Sequence, residues 1–185
     1  EALLLPDGRV MIAGGIYRTG GSSFAISDSV EIYDPLNGTW STGANLDSAR
    51  YLFTLNLLPE GRVLAVGGKG SGDYLDDVDR YDPAVDSWTS LTTLPSKRSE
   101  HTATLMVDGR LLIAGGSYEE TTDIYQDEYL VFDPATESLS VATDMYHARA
   151  GHLAVLLPNG RVLSIGGGTG NSEYNGSSEL YTSGI

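Results

Sequence analysis

Pro59-Glu60-Gly61-Arg62-Val63-Leu64-Ala65-Val66-Gly67-Gly68 is the stretch that decides the fold. A two-residue acid–glycine turn opens it, which suits the twist of a tight β-hairpin. Arg62 and a run of β-prone apolar residues follow. A glycine pair closes the run, where a bulge or a positive φ is expected. The phrase returns three times. Asp7-Gly8-Arg9 leads to Gly14-Gly15, Asp108-Gly109-Arg110 to Gly115-Gly116, and Asn159-Gly160-Arg161 to Gly166-Gly167. The glycine pairs are spaced by 53, 48 and 51 residues, and an arginine stands five residues before each.

Other landmarks keep the same step. Tyr33-Asp34-Pro35, Tyr81-Asp82-Pro83 and Phe132-Asp133-Pro134 recur in phase, as do Trp40, Trp88 and Leu139, and again Arg50, Arg98 and Arg149. The third repeat shows what each unit contains. His101 to Val107 is a first strand, Asp108-Gly109 a turn, and Arg110 to Ala114 a second strand. After a loop, Glu128 to Phe132 is a third strand, ended by Asp133-Pro134 because proline cannot continue a ladder. Leu139 to Val141 is a short fourth. No stretch carries a sustained period of 3.6, so helix is not expected. Four-stranded units repeating at about 50 residues are the blades of a β-propeller. The expected fold is all-β, with three complete blades and three strands of a fourth at about 1–45, 46–96, 97–147 and 148–185.

The glycine pair, the Tyr-Asp-Pro after the third strand and the following tryptophan resemble the kelch family along essentially the whole chain. The segment from Leu58 to Gly68 resembles its bacterial, galactose-oxidase-like branch. The resemblance implies a wheel of six or seven blades. The expectation is therefore a piece of a larger propeller, closed by further blades or by another copy of the chain. Without such closure Leu3, Leu5, Leu180 and Tyr181 are expected to meet water. Copper chemistry of the galactose-oxidase kind needs a tyrosine cross-linked to cysteine. The chain has no cysteine, so that chemistry does not reside in these residues.

Charge narrows the partners. The 185 residues carry 25 Asp and Glu against 11 Lys and Arg, a formal net charge of −14. Nucleic-acid backbone needs a basic face, so it is not an expected partner. No apolar run approaches the length of a membrane span, and membrane insertion is not expected. The lack of cysteine removes disulfides, thiolate metal sites and thiol nucleophiles. The sequence holds no GxSxG elbow, HExxH, GxGxxG or Walker lysine motif. No catalytic residue, metal site or cofactor is assigned.

Repetition separates scaffold from site. A residue present in every blade serves the blade, so Tyr33, Tyr81, Phe132, Trp40 and Trp88 are expected between blades. Arg50, Arg98 and Arg149 are expected to bond backbone carbonyls at blade junctions, and His101 and His152, in phase with Phe53, to be structural. What differs between blades is the segment joining second and third strands, at 16–28, 69–77, 117–127 and 168–177. These segments hold nine acids, two bases and six of the 16 aromatics. Tyrosine offers a flat apolar face with a hydroxyl, which suits protein side chains and sugar rings. Neighbouring acids favour a cationic partner or polyol hydroxyls. The candidate ligand-binding residues are Tyr17, Arg18, Asp73, Tyr74, Tyr118, Glu119, Tyr125 and Tyr174, with His147 outside the repeat's phase. The expected function is binding of a protein or glycan through these segments. Two alternatives remain: part of a secreted carbohydrate-active enzyme with its catalytic residues elsewhere, and a structural subunit of an extracellular assembly. An extracellular or cell-surface location is the corresponding expectation.

Overall fold

Each repeat folds into one antiparallel sheet in the computed structural model, which describes residues 1–118, 124–170, 173–174 and 176–183. The chain divides into two compact units, Glu1–Pro95 and Ser96–Ile185, each holding two repeats. No helix is present among the described residues.

In the first unit, blade 1 consists of β1 (Ala2–Leu4), β2 (Val10–Ala13), β5 (Val30–Asp34) and β6 (Thr39–Gly43) in that order. A separate ribbon of β3 (Ile16–Gly20) and β4 (Ser23–Ile26) extends from it. Blade 2 is β7 (Thr54–Leu57), β8 (Val63–Lys69), β9 (Tyr74–Asp82) and β10 (Ser87–Thr93). The second unit repeats the plan. Blade 3 is β11 (Thr102–Leu105), β12 (Leu111–Ala114), β15 (Tyr129–Asp133) and β16 (Ser138–Val141), with a ribbon of β13 (Ser117–Tyr118) and β14 (Ile124–Tyr125). Blade 4 has three strands, β17 (Leu153–Leu156), β18 (Val162–Ile165) and β21 (Ser178–Tyr181), with a ribbon of β19 (Gly168–Gly170) and β20 (Glu173–Tyr174).

The cores lie between blades, as the period-2 alternation of a strand requires. One face of blade 1, with Leu3, Met11, Ala13, Val30 and Ile32, packs on Leu55, Val63, Ala65 and Tyr81 of blade 2. Trp88 packs on the same cluster and donates its indole N–H to Ala44 O at 2.9 Å. In the second unit Leu112, Ala114, Tyr129 and Val131 of blade 3 meet Ala154, Val162 and Tyr181 of blade 4.

Some positions depart from the sequence reading. Leu5 and Tyr181 are buried and Leu3 lies against the core, whereas Leu4 is exposed. The alternation is thus one residue out of phase with the expected exposed set, and of that set Leu180 meets water. Trp40 is 55% exposed, although Trp88 one repeat later is partly covered. The reason is position: Trp88 faces blade 1, while Trp40 lies on the opposite face of blade 1, which no described residue of the first unit covers. The segments joining second and third strands are also more regular than loops. They continue as β-ribbons, and in blade 2 the ladder runs on from Val66 to Lys69 past a bulge, which leaves 70–73 as the turn.

Candidate interaction surface

The glycine pairs separate the constant part of each blade from the variable part. At Gly14 φ is +61°, and a Cβ there would lie 2.5 Å from Arg50 O and 2.9 Å from the Phe53 ring. Glycine is therefore required both by conformation and by close approach. The neighbouring Gly15 N–H donates to Arg50 O at 2.8 Å, which stitches blade 1 to blade 2. Gly116 N–H and Arg149 O make the same stitch at 2.9 Å between blades 3 and 4.

Near the start of repeats 2, 3 and 4 lies a fully buried arginine. Arg50 Nη1 donates to Gly67 O at 3.2 Å and Nη2 to Asp79 at 2.7 Å, with Asp77 at 3.5 Å. Arg98 donates to Gly115 O at 3.0 Å and to Glu128 at 2.6 Å. Arg149 donates to Gly166 O at 2.9 Å, to Ser177 O and Oγ at 3.2 Å each, and to Glu179. A buried guanidinium needs both a charge partner and carbonyl acceptors to offset its desolvation, and each site supplies them. Burial raises the Asp79 carboxyl despite the opposing Arg50 charge. Burial also pushes Glu179 upward, but hydrogen bonds from Tyr146 N–H, Arg149 and His147 N–H outweigh it and hold the group low. The junction carbonyls expected from the sequence are there. The carboxylates were not anticipated, because the acid moves between two positions of the third strand. It stands two residues before the repeated aromatic in blades 2 and 4 and four before it in blade 3. Both positions face the same way, since two residues is one strand period.

His101 and His152 are buried at the blade junctions and occupy the place of Phe53. Burial, aided by Arg98 and the other histidine, pushes His101 down to about 3. Burial and the Arg149 charge push His152 down to about 4. His152 Nε2 meets Thr102 Oγ1 at 2.9 Å. Both rings are neutral parts of the scaffold.

The candidate residues lie beyond the glycine pairs. In the first unit Tyr17 is 54% exposed on β3, and every described residue of that strand is exposed. Arg18 stacks over the Phe24 ring, its cross-strand partner, at 5.4 Å. Phe24 was not among the candidates. Its signal was the pairing of Arg18 with Phe24 across a Gly20-Gly21 turn, visible once the segment is taken as a ribbon. Asp73 closes the tip of blade 2, where its carbonyl accepts Gly70 N–H at 2.8 Å and its carboxylate accepts Tyr74 N–H at 2.8 Å. Lys69 sits over the Tyr74 ring at 5.0 Å. Beside this tip is a shallow cleft of about 340 Å³ lined by Ser48, Ala49, Gly70, Asp73 and Leu75.

In the second unit Tyr118 and Tyr125 lie on the paired strands β13 and β14, partly covered. The Tyr125 ring rests over Gly168, where a Cβ would meet it at 3.4 Å. Tyr174 belongs to β20, opposite Gly168; its side chain, like the whole of Glu119, lies outside the described residues. His147 is apart from the ribbons. Its backbone N–H donates to Glu179 at 3.0 Å and its ring stacks edge-on with Tyr146 at 4.7 Å. The structure therefore places Tyr118 and Tyr125 on one ribbon and Tyr17 and Arg18 on another, the members of each pair on opposite faces of their ribbon. His147 sits beside the Arg149 site.

Among the described residues no three His, Asp or Glu side chains come together as a metal site, and no helix is long and apolar enough to cross a membrane. No curated protein matches the chain. The Kelch motif family model matches residues 7–46 and 59–95, which span most of blades 1 and 2. Blades 3 and 4 carry the same glycine pairs, buried arginines and strand order. The chain thus carries two matched kelch motifs, and its other two blades repeat their plan.

Proposed function

We propose that the chain binds a protein ligand through the ribbon ends of its blades, with Tyr17, Arg18 and Phe24 of blade 1 and Asp73 and Tyr74 of blade 2 as the contact set in the first unit. Kelch repeats are in general protein-interaction modules, so the module class comes with the family. The choice of surface rests on one observation: blade 1 projects a two-stranded ribbon whose first strand is entirely exposed, yet carries Ile16 and Tyr17 beside Arg18, which alone stands opposite Phe24. Exposed aromatic and arginine side chains on a rigid ribbon are the residue types that dominate protein interfaces. Tyr118 and Tyr125 furnish the corresponding surface in the second unit.

The net charge of −14 and the acids of these segments favour a cationic ligand surface. The test is a panel of tyrosine-containing peptides that are lysine-rich, neutral or glutamate-rich, titrated by fluorescence anisotropy. The lysine-rich peptides should bind best. Tyr17→Ala should weaken that binding at least tenfold, with a stability change within about 0.5 kcal/mol for an exposed site. Leu36→Ala, at the exposed turn on the opposite end of blade 1, should leave binding unchanged. Equal losses at both ends, or a preference for acidic peptides, would sink the reading.

A further inference from the structure

One leucine stands in a backbone conformation that a bulky side chain disfavours. Leu52 has a φ of +54°, in the left-handed region where an L side chain crowds its own backbone. The position belongs to the blade plan. The ladder of β7 and β8 pairs Thr54 with Val66, and the same register resumes where Tyr51 bridges Lys69. Leu52 therefore falls opposite Gly68, at a rung where both strands turn to positive φ. Blade 3 sets Glu100, with φ +56°, opposite Gly116 in the same way, and blade 4 sets Gly151, with φ +61°, opposite Gly167.

The two sides of this rung differ. On the second strand, space compels glycine: a Cβ at Gly68 would lie 2.7 Å from Phe53 Cβ, and one at Gly167 would lie 2.7 Å from Ala150 O. On the first strand only the conformation asks for glycine, since a Cβ at Gly151 would meet nothing within 4 Å. Glycine is the unstrained residue there, as blade 4 shows, and a side chain at this position enters open space. Four described non-glycine residues have positive φ: Leu52, Asp86, Glu100 and Glu137. Asp86 offsets its strain within the chain, because its carboxylate accepts Ala44 N–H at 2.8 Å and Tyr81 O–H at 2.7 Å. Leucine carries no such group, and Leu52 is 42% exposed. A strained residue that the fold could replace by glycine points to a contact made by its side chain with a ligand.

Its neighbours are those of the ribbon end. Tyr51 and Lys69 exchange N–H···O bonds of 3.0 and 2.8 Å. Lys69 in turn pairs with Tyr74, its Nζ 5.0 Å from the ring centroid. Tyr51, Lys69 and Tyr74 thus form one row across three strands, and Leu52 follows directly on it. We propose that Leu52 is an apolar anchor at the ribbon end of blade 2 that packs on an aromatic side chain of the protein ligand. The proposal rests on the ribbon-end reading and adds to it a residue that selects the ligand. An aromatic ring is the occupant because it covers a leucine with a rigid face at little entropic cost, and because that face also suits the neighbouring Lys69 ammonium.

The test uses the lysine-rich tyrosine peptide and a twin with alanine for its tyrosine, titrated into Leu52→Gly, Leu52→Asn and Leu52→Met by fluorescence anisotropy. Gly and Asn accept positive φ, so those two variants should melt no lower than the unmodified chain. Both should weaken the tyrosine peptide about fivefold, a coupling usual for side chains in contact. Leu52→Met keeps an apolar side chain and should bind as the unmodified chain does. None of the three should alter affinity for the alanine twin. Gly and Asn variants that bind the tyrosine peptide normally, or that weaken both peptides equally, overturn the anchor. A drop of several degrees in the melting of both variants overturns it too, since Leu52 would then serve the fold. Tyr17→Ala separates the two readings. Loss at Tyr17 with none at Leu52 removes the anchor and leaves the ribbon-end surface standing. No loss at either residue removes both.

Discussion

At the scale of single residues, the buried arginines tie the start of repeats 2, 3 and 4 to the second and third strands of their blades, and the histidines make the fold sensitive to acid. Arg98 is fully buried against Gly115 O and Glu128. Burial lowers its affinity for the proton, while Glu128 opposes that by hydrogen bond and charge. Arg98→Met removes the charge and strands its partners. Glu128 keeps its side chain 28% exposed, so the loss falls below that of a fully enclosed pair, at about 2–4 kcal/mol. Urea unfolding measures it, and Glu128→Gln in the Arg98→Met background should recover part. A loss under about 1 kcal/mol would show that the site adds little to stability. The histidines set a pH window. Their ordinary value is near 6.5, and the fold depresses them to about 3 and about 4. Below pH ~6.5 the unfolded chain therefore takes up protons that the fold refuses. Their contribution is complete above that pH and is lost as pH falls through 4 toward 3. Asp79, raised by burial, acts in the opposite sense as carboxylates begin to protonate. His101→Phe with His152→Phe copies Phe53 and should flatten the melting temperature between pH 6.5 and 4. An unchanged slope would place the acid sensitivity elsewhere.

At the scale of elements, legibility follows repetition. Strands of blade 3 were expected at His101–Val107 and Arg110–Ala114 and lie at Thr102–Leu105 and Leu111–Ala114, because turn residues and alternating apolar runs mark them locally. The acid partners of the arginines were not legible. Asp79, Glu128 and Glu179 are fixed by sheet register, and the shift between two same-facing positions breaks any linear motif. The ribbons beyond the glycine pairs were hidden for a similar reason. Gly20-Gly21 and the turn at 70–73 are what fold these segments back, and their short strands lack a buried face to impose alternation. Tyr17 and Arg18 were found by composition, whereas Phe24 needed the cross-strand pairing. Phase at the edge of blade 1 was lost because Leu3, Leu4 and Leu5 form an unbroken apolar run, which carries no alternation to assign a face.

At the scale of the molecule, constant and variable parts divide along each blade. Buried arginines, glycine stitches and aromatic pairs recur from blade to blade. Acid, tyrosine and ribbon length change at one end of each sheet. Each unit also keeps an uncovered blade face, marked by Leu4 and Trp40 on blade 1 and by Leu153, Val155 and Leu180 on blade 4. The ribbon ends vary from blade to blade, as the proposed ligand surface would. The central claim is that ligand engages the ribbon ends. It is tested most directly by backbone NMR of the labelled chain titrated with the lysine-rich tyrosine peptide. Saturable shifts should concentrate at residues 16–26 and 69–75 of the first unit and at 117–118 and 124–125 of the second. Shifts confined to the opposite turns, such as Asp34 to Leu36 and Asp82 to Ala84, or spread evenly over the blade faces, would contradict it.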